Sequence, residues 1–262
     1  MDERLRHTSD IQNRHIKRQN QRRRAMKRRR IAFFTVLVLI FVSIILFFTP
    51  LFNIKQINIA GNTKIETAQL KQAVGSVEEE NLFLLNTKKI ITNIKTIPYI
   101  DSVEIKKKLF PAGINVNVYE CIPIGFIPYN GQYVILDKNL KVLEICDSVY
   151  ENLCEISGIG VTAASPGAVL STDDSEKLTS VIDCTARLIE HDIHNKIGVI
   201  NYADMNNITF TYENRLNVVC GSVVDFQKKI GMFKKAVNSS KLTANSRGTI
   251  DISISGKAIY TP

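Results

Sequence analysis

Hydrophobic positions change their period several times along the chain, and each period predicts a different element. Residues 31–49 form one apolar run, in which Thr35, Ser43 and Thr49 are the only polar side chains. As a helix, this run would be about 28 Å long, close to the hydrocarbon thickness of a bilayer. The run therefore predicts a transmembrane helix, and Pro50 is placed to end it.

A cleavable signal peptide and a buried core helix are the two alternatives for this run. It is longer than the apolar core of a usual signal peptide, and no Ala-x-Ala-like cleavage site follows it. A core helix would need a polar face, which the run lacks. We therefore predict an uncleaved signal anchor.

Positive charge is concentrated on the N-terminal side of the run. Residues 1–30 hold 12 Lys or Arg and 3 Asp or Glu, a balance of +9 that equals the net charge of the whole chain. The positive-inside rule then predicts a cytoplasmic tail, with everything after Pro50 outside the cytoplasm. The tail has no aromatic side chain to stack on bases, so no nucleic-acid partner is expected. The residues expected to set the topology are Arg22, Arg23, Arg24, Lys27, Arg28, Arg29 and Arg30.

Short strand and helix patterns follow between Phe52 and Glu120. An alternating segment at Ile57 and Ile59 precedes two segments with helical spacing, and two further alternating segments end the region. The predicted order is β-α-α-β-β. Thr63 and Glu66 have the spacing of a capping box at the start of the first helix.

The remaining residues, 123–262, predict a β-rich domain with two helices. One helix should begin after Asp174, whose carboxylate suits a helix N-terminus. The other should begin after a second capping box at Ser222–Asp225. Residues 208–220 alternate as a hairpin. The predicted fold class is α+β, with a basic tail at 1–30, an anchor at 31–49, a β-α-α-β-β domain at 50–122 and a β-rich domain at 123–262.

Residues able to carry chemistry are sparse. His191 and His194 are three apart, but no further ligands stand at a metal-site spacing, and we expect His191 to be solvated. Neither a G-x-S-x-G motif nor a Walker loop occurs. Five cysteines without a CxxC motif favour small buried side chains, although one disulfide stays possible. We predict a binding protein without metal or cofactor, and not an enzyme.

Several segments resemble the FtsQ/DivIB family of bacterial cell-division proteins. A β-α-α-β-β unit after a signal anchor resembles a POTRA (polypeptide-transport-associated) domain, and Glu120-Cys121-Ile122-Pro123 is similar to the Glu-x-x-Pro that closes it in the family. The other similar segments are FNIKQINIAGNTKI, NLFLLNTKKI and YVILDKNLKVL. The resemblance implies a non-enzymatic divisome component that links early and late division proteins at the septum. It also implies FtsL and FtsB/DivIC-type single-pass partners and, through them, the septal peptidoglycan synthase.

Two other functions make different demands on the sequence. A POTRA-bearing component of a polypeptide translocation system would need tandem POTRA units or a membrane barrel. A cell-wall hydrolase or transferase would need a nucleophile or paired carboxylates in a cleft, and no such set stands out.

The C-terminal segment supplies the candidate binding site. Ile250, Ile252 and Ile254 alternate with polar residues, which predicts a strand at Thr249–Ser255 with the isoleucines toward the core. Nothing follows Pro262, so we expect this strand to be an exposed edge to which a partner adds a strand. The resemblance implies an FtsB/DivIC-type partner there. The predicted partner-binding residues are Thr249, Asp251, Ser253, Ser255, Gly256 and Tyr260.

Overall fold

A computed structural model describes residues 26–45, 49–149, 153–239 and 242–262. These residues divide into two compact units. The smaller unit contains the described residues up to Asn58, together with Ser76–Asn86 and Lys106–Asn115. The larger unit contains Ile59–Gly75, Thr87–Ile105 and the described residues of Val116–Pro262.

The described chain forms α-helices, strands and two short 3-10 turns at Pro50–Phe52 and His194–Lys196. The helices are α1 (residues 26–45), α2 (Thr67–Val74), α3 (Thr87–Lys95), α4 (Ser175–Glu190) and α5 (Phe226–Val237). The strands are β1 (Gln56–Ala60), β2 (Ile100–Lys108), β3 (Gly113–Glu120), β4 (Gly125–Tyr129), β5 (Gln132–Leu136), β6 (Val142–Cys146), β7 (Cys154–Ser157), β8 (Val161–Ala163), β9 (Ser171–Thr172), β10 (Ile197–Asn201), β11 (Ile208–Tyr212), β12 (Leu216–Gly221), β13 (Gly248–Asp251) and β14 (Ile259–Thr261).

The elements between residues 56 and 120 have the predicted β-α-α-β-β order. Their three-stranded sheet has the spatial order β1-β3-β2. Helix α2 buries Leu70 and Val74, and α3 buries Ile90 and Ile94, at the spacing of one helix face. The order predicted from the apolar period is confirmed.

The elements from residue 125 onward are built on a nine-stranded sheet. Its strand order is β14-β13-β12-β11-β10-β7-β4-β5-β6. Its neighbouring strands are antiparallel except for three parallel pairs, β12 with β13, β7 with β10 and β4 with β7. Strands β8 and β9 form a separate pair. The β-rich architecture with two helices is confirmed, and so is the hairpin formed by β11 and β12.

Helices α4 and α5 share a hydrophobic core with this sheet. Val181 and Leu188 of α4 are buried, as are Phe226, Ile230 and Phe233 of α5. The predicted apolar faces of both helices are therefore confirmed. The Phe233 ring meets the rings of Phe210 and Tyr212 edge to face, with centroids 5.3 and 5.0 Å apart, a favourable aromatic geometry.

The three predicted helix starts have different outcomes. The Asp174 carboxylate accepts a hydrogen bond of 2.8 Å from the Lys177 backbone N–H, which confirms it as the cap of α4. Both predicted capping boxes are wrong. Helix α2 begins only at Thr67, after Glu66, whose side chain makes no cap hydrogen bond. Asp225 adopts a left-handed backbone with φ 56° and makes no cap hydrogen bond to α5.

The cysteines are mainly small buried side chains, as predicted. Cys146 is half-buried, and the buried ones are Cys121, Cys154, Cys184 and Cys220; all five are free thiols. The expectation of a solvated His191 is wrong, because its Nε2 atom is buried. A side chain carbon added at Gly231 of α5 would lie only 3.3 Å from the His191 ring, so the glycine leaves room for that ring.

The described N-terminal helix covers only part of the predicted membrane anchor. Residues 26–45 are helical and exposed, and they include Lys27, Arg28, Arg29 and Arg30. Among the helices that the structure describes, none is long and apolar enough to cross a membrane. The predicted anchor also includes residues 46–48, which lie outside the described residues, as do Arg22, Arg23 and Arg24. The anchor and its orientation therefore stay predictions.

Candidate partner-binding edge at the C-terminal strands

The strand in the C-terminal segment is shorter than the alternating pattern predicts, and the chain folds back after it to form a second strand. Strand β13 ends at Asp251, and β14 returns to pair with it, with Tyr260 opposite Ile250 and Ile259 opposite Asp251. The prediction that Thr249–Ser255 is one exposed edge strand is therefore wrong. The edge of the sheet is β14, which follows a turn that the alternating pattern does not reveal.

The early end of β13 explains which of the three isoleucines are buried. Ile250 and Ile252 are 1% and 0% exposed, and the Ile252 N–H donates a hydrogen bond of 2.8 Å to the Val219 carbonyl. Ile254, predicted to face the core, is 63% exposed because the chain has already left the sheet. Two of the three predicted core positions are thus confirmed and the third is wrong.

The turn that connects β13 and β14 contains three of the predicted site residues, Ser253, Ser255 and Gly256. The Ser253 backbone N–H donates a hydrogen bond of 2.8 Å to the Asp251 carboxylate. Hydrogen bonds from the Ser253 hydroxyl and backbone hold the pKa of Asp251 below its usual value. Gly256 has φ +87°, a backbone region that favours glycine. The turn therefore positions β14 instead of forming part of an edge strand.

Strand β14 brings Tyr260 to the border of the sheet. The Tyr260 hydroxyl donates a hydrogen bond of 2.6 Å to the Arg247 carbonyl, and the residue is 37% exposed. All three β14 residues are exposed. Among the described strands, only β13 pairs with β14, so its outer backbone edge is available to another strand.

Gly248 is a structural position of the candidate edge that the sequence pattern does not reveal. Its φ is +134°, and a side chain carbon built on it would lie 2.2 Å from the Thr261 carbonyl oxygen. A glycine is therefore required for β14 to approach β13 so closely. The available signal was the Arg247-Gly248 pair directly before the alternating segment.

A second polar site within the larger unit surrounds the Glu120 carboxylate. Its carboxylate accepts hydrogen bonds from the backbone N–H groups of Thr63, Lys64 and Ile65 at 2.9 to 3.2 Å. It also accepts one of 2.6 Å from the Thr63 hydroxyl. Burial raises the pKa of Glu120, but these hydrogen bonds outweigh it, so the pKa lies below its usual value. Thr63 is therefore held by Glu120 and does not cap α2.

Contacts within the larger unit also connect this region to the nine-stranded sheet. The Lys64 ammonium lies 2.5 Å from the Tyr99 hydroxyl and 3.7 Å from the Glu144 carboxylate. The Lys141 ammonium donates a hydrogen bond of 2.8 Å to the Ile100 carbonyl. Burial raises the pKa of Tyr99, so its phenol stays protonated beside Lys64. We call residues 63–65, which Glu120 holds, the Glu120-held loop. The polar cluster stabilises the packing of this loop and of β2 against β6.

Among the described residues, no three or more His, Cys, Asp or Glu side chains are grouped so that they could hold a metal ion. What the geometry provides is an exposed strand edge with an aromatic side chain, which suits the recognition of an extended peptide.

Comparison with known proteins defines the class first. Residues 52–120 match the family model for the POTRA domain of FtsQ type. The chain is 30% identical to cell division protein DivIB of Clostridium acetobutylicum over 213 residues, which cover 81% of this chain and 84% of the relative. It is 25% identical to DivIB of Clostridium tetani over 228 residues, or 86% and 85% of the two chains. DivIB of Clostridium botulinum strain Hall is 26% identical over 240 residues, or 89% and 92%. The chain belongs to the FtsQ/DivIB family of cell-division proteins, which confirms the predicted family.

Proposed function

We propose that this protein is a non-enzymatic component of the division machinery that links early and late division proteins at the septum. Residues 31–49 anchor it in the cell membrane, with residues 1–30 in the cytoplasm and the folded part outside. Family membership supports the division role. The uncharged run and the +9 balance of the tail support the anchor and its orientation.

The observation that carries the binding role is the outer edge of β14. An FtsB/DivIC-type single-pass protein adds a strand there, since unpaired backbone groups accept a partner strand. Through that protein and FtsL, the chain acts indirectly on the septal peptidoglycan synthase. Tyr260 is the direct contact. Thr249 pairs with Thr261 of β14, and Asp251, Ser253 and Gly256 shape the turn that positions this strand; Ser255 is exposed on that turn.

The test is capture of an FtsB/DivIC-type partner by the full chain. We expect Tyr260→Ala to weaken binding by about 30-fold or more, the effect of losing an aromatic hot spot of about 2 kcal/mol. Tyr119→Ala is the matched control, because Tyr119 is also an exposed tyrosine at 54% but lies outside β14. Circular dichroism checks that both variants fold. Equal partner capture by both variants would remove β14 from the proposal.

The β-α-α-β-β region contributes to recruitment to the division site. Its three-stranded sheet has β1 and β2 as its outer strands, and an outer strand can dock a partner. Removing residues 52–120 from a fluorescently labelled chain should reduce septal localisation. Retained capture of the FtsB/DivIC-type partner would show that the rest still folds. Normal localisation of that shortened chain would mean that the region is only a spacer.

The alternative, a POTRA-bearing component of a translocation system, has no comparable support, because the relatives compared above are cell-division proteins.

A further inference from the structure

The smaller unit exposes large apolar side chains from three separate segments of the chain. We call this set the aromatic patch. Its exposed members are Leu51 at 54%, Phe83 at 44%, Leu84 at 63%, Leu109 at 49% and Phe110 at 67%, and the half-buried Phe52 completes it. Large apolar groups clustered at a surface mark an interaction site more often than scattered ones do.

Ring contacts join the three segments into one surface. The Phe52 ring centroid lies 5.1 Å from that of Phe83 and 6.1 Å from that of Phe110. Backbone hydrogen bonds fix the same arrangement, since the Leu82 N–H donates to the Phe52 carbonyl at 2.9 Å and the Lys55 N–H donates to the Ala112 carbonyl at 2.9 Å. The patch is therefore a defined feature of the fold and not a set of loose side chains.

The apolar residues behind these segments are already buried. Ile54 and Leu82 are 1% and 0% exposed, and Ala112 is 3% exposed. The unit thus has its own core, and the patch is an additional outer layer. Covering that layer would remove further apolar surface from water, which favours a partner of apolar chemistry.

The position of the patch along the chain indicates which apolar partner this is. Leu51 stands two residues after Thr49, the last residue of the apolar run proposed as the membrane anchor. A chain that leaves the bilayer at Thr49 can move Leu51 away by only about 7 Å, since each residue spans at most about 3.6 Å. Phe and Leu are among the side chains that insert at this interfacial depth in membrane-surface segments.

Charges on the same unit fit a location among lipid head groups. Lys106, Lys107 and Lys108 are exposed and lead directly into Leu109, and the Lys107 ammonium donates a hydrogen bond of 3.3 Å to the Leu85 carbonyl. Basic side chains beside a membrane attract lipid phosphates. Outside helix α1, the described part of the smaller unit carries charge only on these lysines, Lys55 and the exposed glutamates at 78–80, which is a net charge of +1. Apolar insertion is therefore the main attraction, and anionic lipid should add little.

We propose that the aromatic patch inserts into the interfacial layer of the membrane on the outer side, directly beside the anchor. It would hold the smaller unit against the lipid surface. This inference rests on the anchor of the proposed function.

The chain contains no tryptophan, so a single introduced one reports on a single site. Phe110→Trp places the reporter in the patch, and Val224→Trp is the matched control, because both positions are 67% exposed. The full-length variants are reconstituted in phosphatidylcholine vesicles with brominated acyl chains, which quench tryptophan on contact. We expect quenching of the patch reporter to be at least several-fold stronger than that of the control, and to change little when anionic lipid is added.

Leu84→Trp serves as a second reporter, in case Phe110→Trp disturbs the fold. Flotation of the same vesicles separates the two proposals. A chain that does not float refutes the anchor, and the patch inference with it. A chain that floats with equal quenching at both sites, or with none, refutes the patch inference alone. A blue-shifted but unquenched patch tryptophan shows that protein covers the patch, either a second copy or a partner, and also overturns the inference.

Discussion

The Glu120-held loop and the C-terminal strands join distant parts of the chain in two different ways. One carboxylate holds the backbone of three residues, Thr63, Lys64 and Ile65, up to 57 positions away. At the C-terminus, β13 and β14 are held by backbone pairing along both strands and by burial of Ile250 and Ile252. At the first junction one carboxylate satisfies three backbone donors, whereas the second junction spreads its stabilisation over many groups.

This difference determines which substitutions should disrupt each region. Glu120 satisfies several backbone donors at once, and water can replace it at the exposed Thr63 and Lys64 but less readily at the buried Ile65. A strand ladder keeps its backbone hydrogen bonds when surface side chains change, and only its buried residues are sensitive. The C-terminal strands should therefore tolerate surface substitutions and respond strongly to core substitutions.

The largest effect is expected from Ile252→Ala. Ile252 is fully buried, so removing its side chain beyond Cβ should lower the free energy of unfolding by about 2–5 kcal/mol. Ile254→Ala is the control, since Ile254 is 63% exposed and the change should stay within about 0.5 kcal/mol. Urea unfolding in detergent micelles, followed by circular dichroism, measures both. Equal losses would mean that the strand continues to Ser255.

A smaller loss is expected from Glu120→Gln. The amide removes the negative charge and one acceptor oxygen, so the free energy of unfolding should fall by about 1–3 kcal/mol. Glu66→Gln is the control, because Glu66 makes no cap hydrogen bond and should change stability by less than about 0.5 kcal/mol. A larger loss at Glu66 than at Glu120 would restore the capping box that the structure excludes.

The pH dependence of the Glu120 junction follows from its lowered pKa. A carboxylate whose pKa is lowered on folding stabilises the protein above its unfolded pKa, here 4.5, and that stability is lost as pH falls through the folded pKa. The stability difference between the parent chain and Glu120→Gln should be complete near neutral pH and shrink below about 4.5. Urea unfolding of both proteins across this range measures it. A difference independent of pH would argue against an ionised Glu120.

How much the sequence predicts also differs between these regions. The periodic segments were predicted correctly, including the apolar faces of α4 and α5 and the β11–β12 hairpin, because period and burial are local properties. The capping box at Thr63 was wrong because Glu120, far along the chain, takes the Thr63 hydroxyl. No local pattern contains that contact.

The candidate partner-binding edge is only partly predictable from the sequence, for a related reason. Strand β14 has three residues, too few for an alternating pattern to be recognised, so the pattern predicts the preceding segment as the edge. Its placement depends on the turn at Gly256 and on the close approach at Gly248, both of which need positive φ. The sequence offers Tyr260 as an aromatic candidate, but its position on the outer strand follows only from the pairing of β13 with β14.

The smallest effect, and the one that separates structure from recognition, is expected from Tyr260→Phe. This change removes only the hydroxyl that donates to the Arg247 carbonyl, so the free energy of unfolding should fall by about 1 kcal/mol or less. Tyr119→Phe, at another exposed tyrosine, should leave stability unchanged. The ring of residue 260 remains, so if partner capture depends on its apolar surface, Tyr260→Phe should bind almost as well as the parent chain while Tyr260→Ala does not. If Tyr260→Phe loses capture as completely as Tyr260→Ala, the partner requires the hydroxyl and the strand position that this hydroxyl fixes. The apolar surface of the ring is then not the main contact.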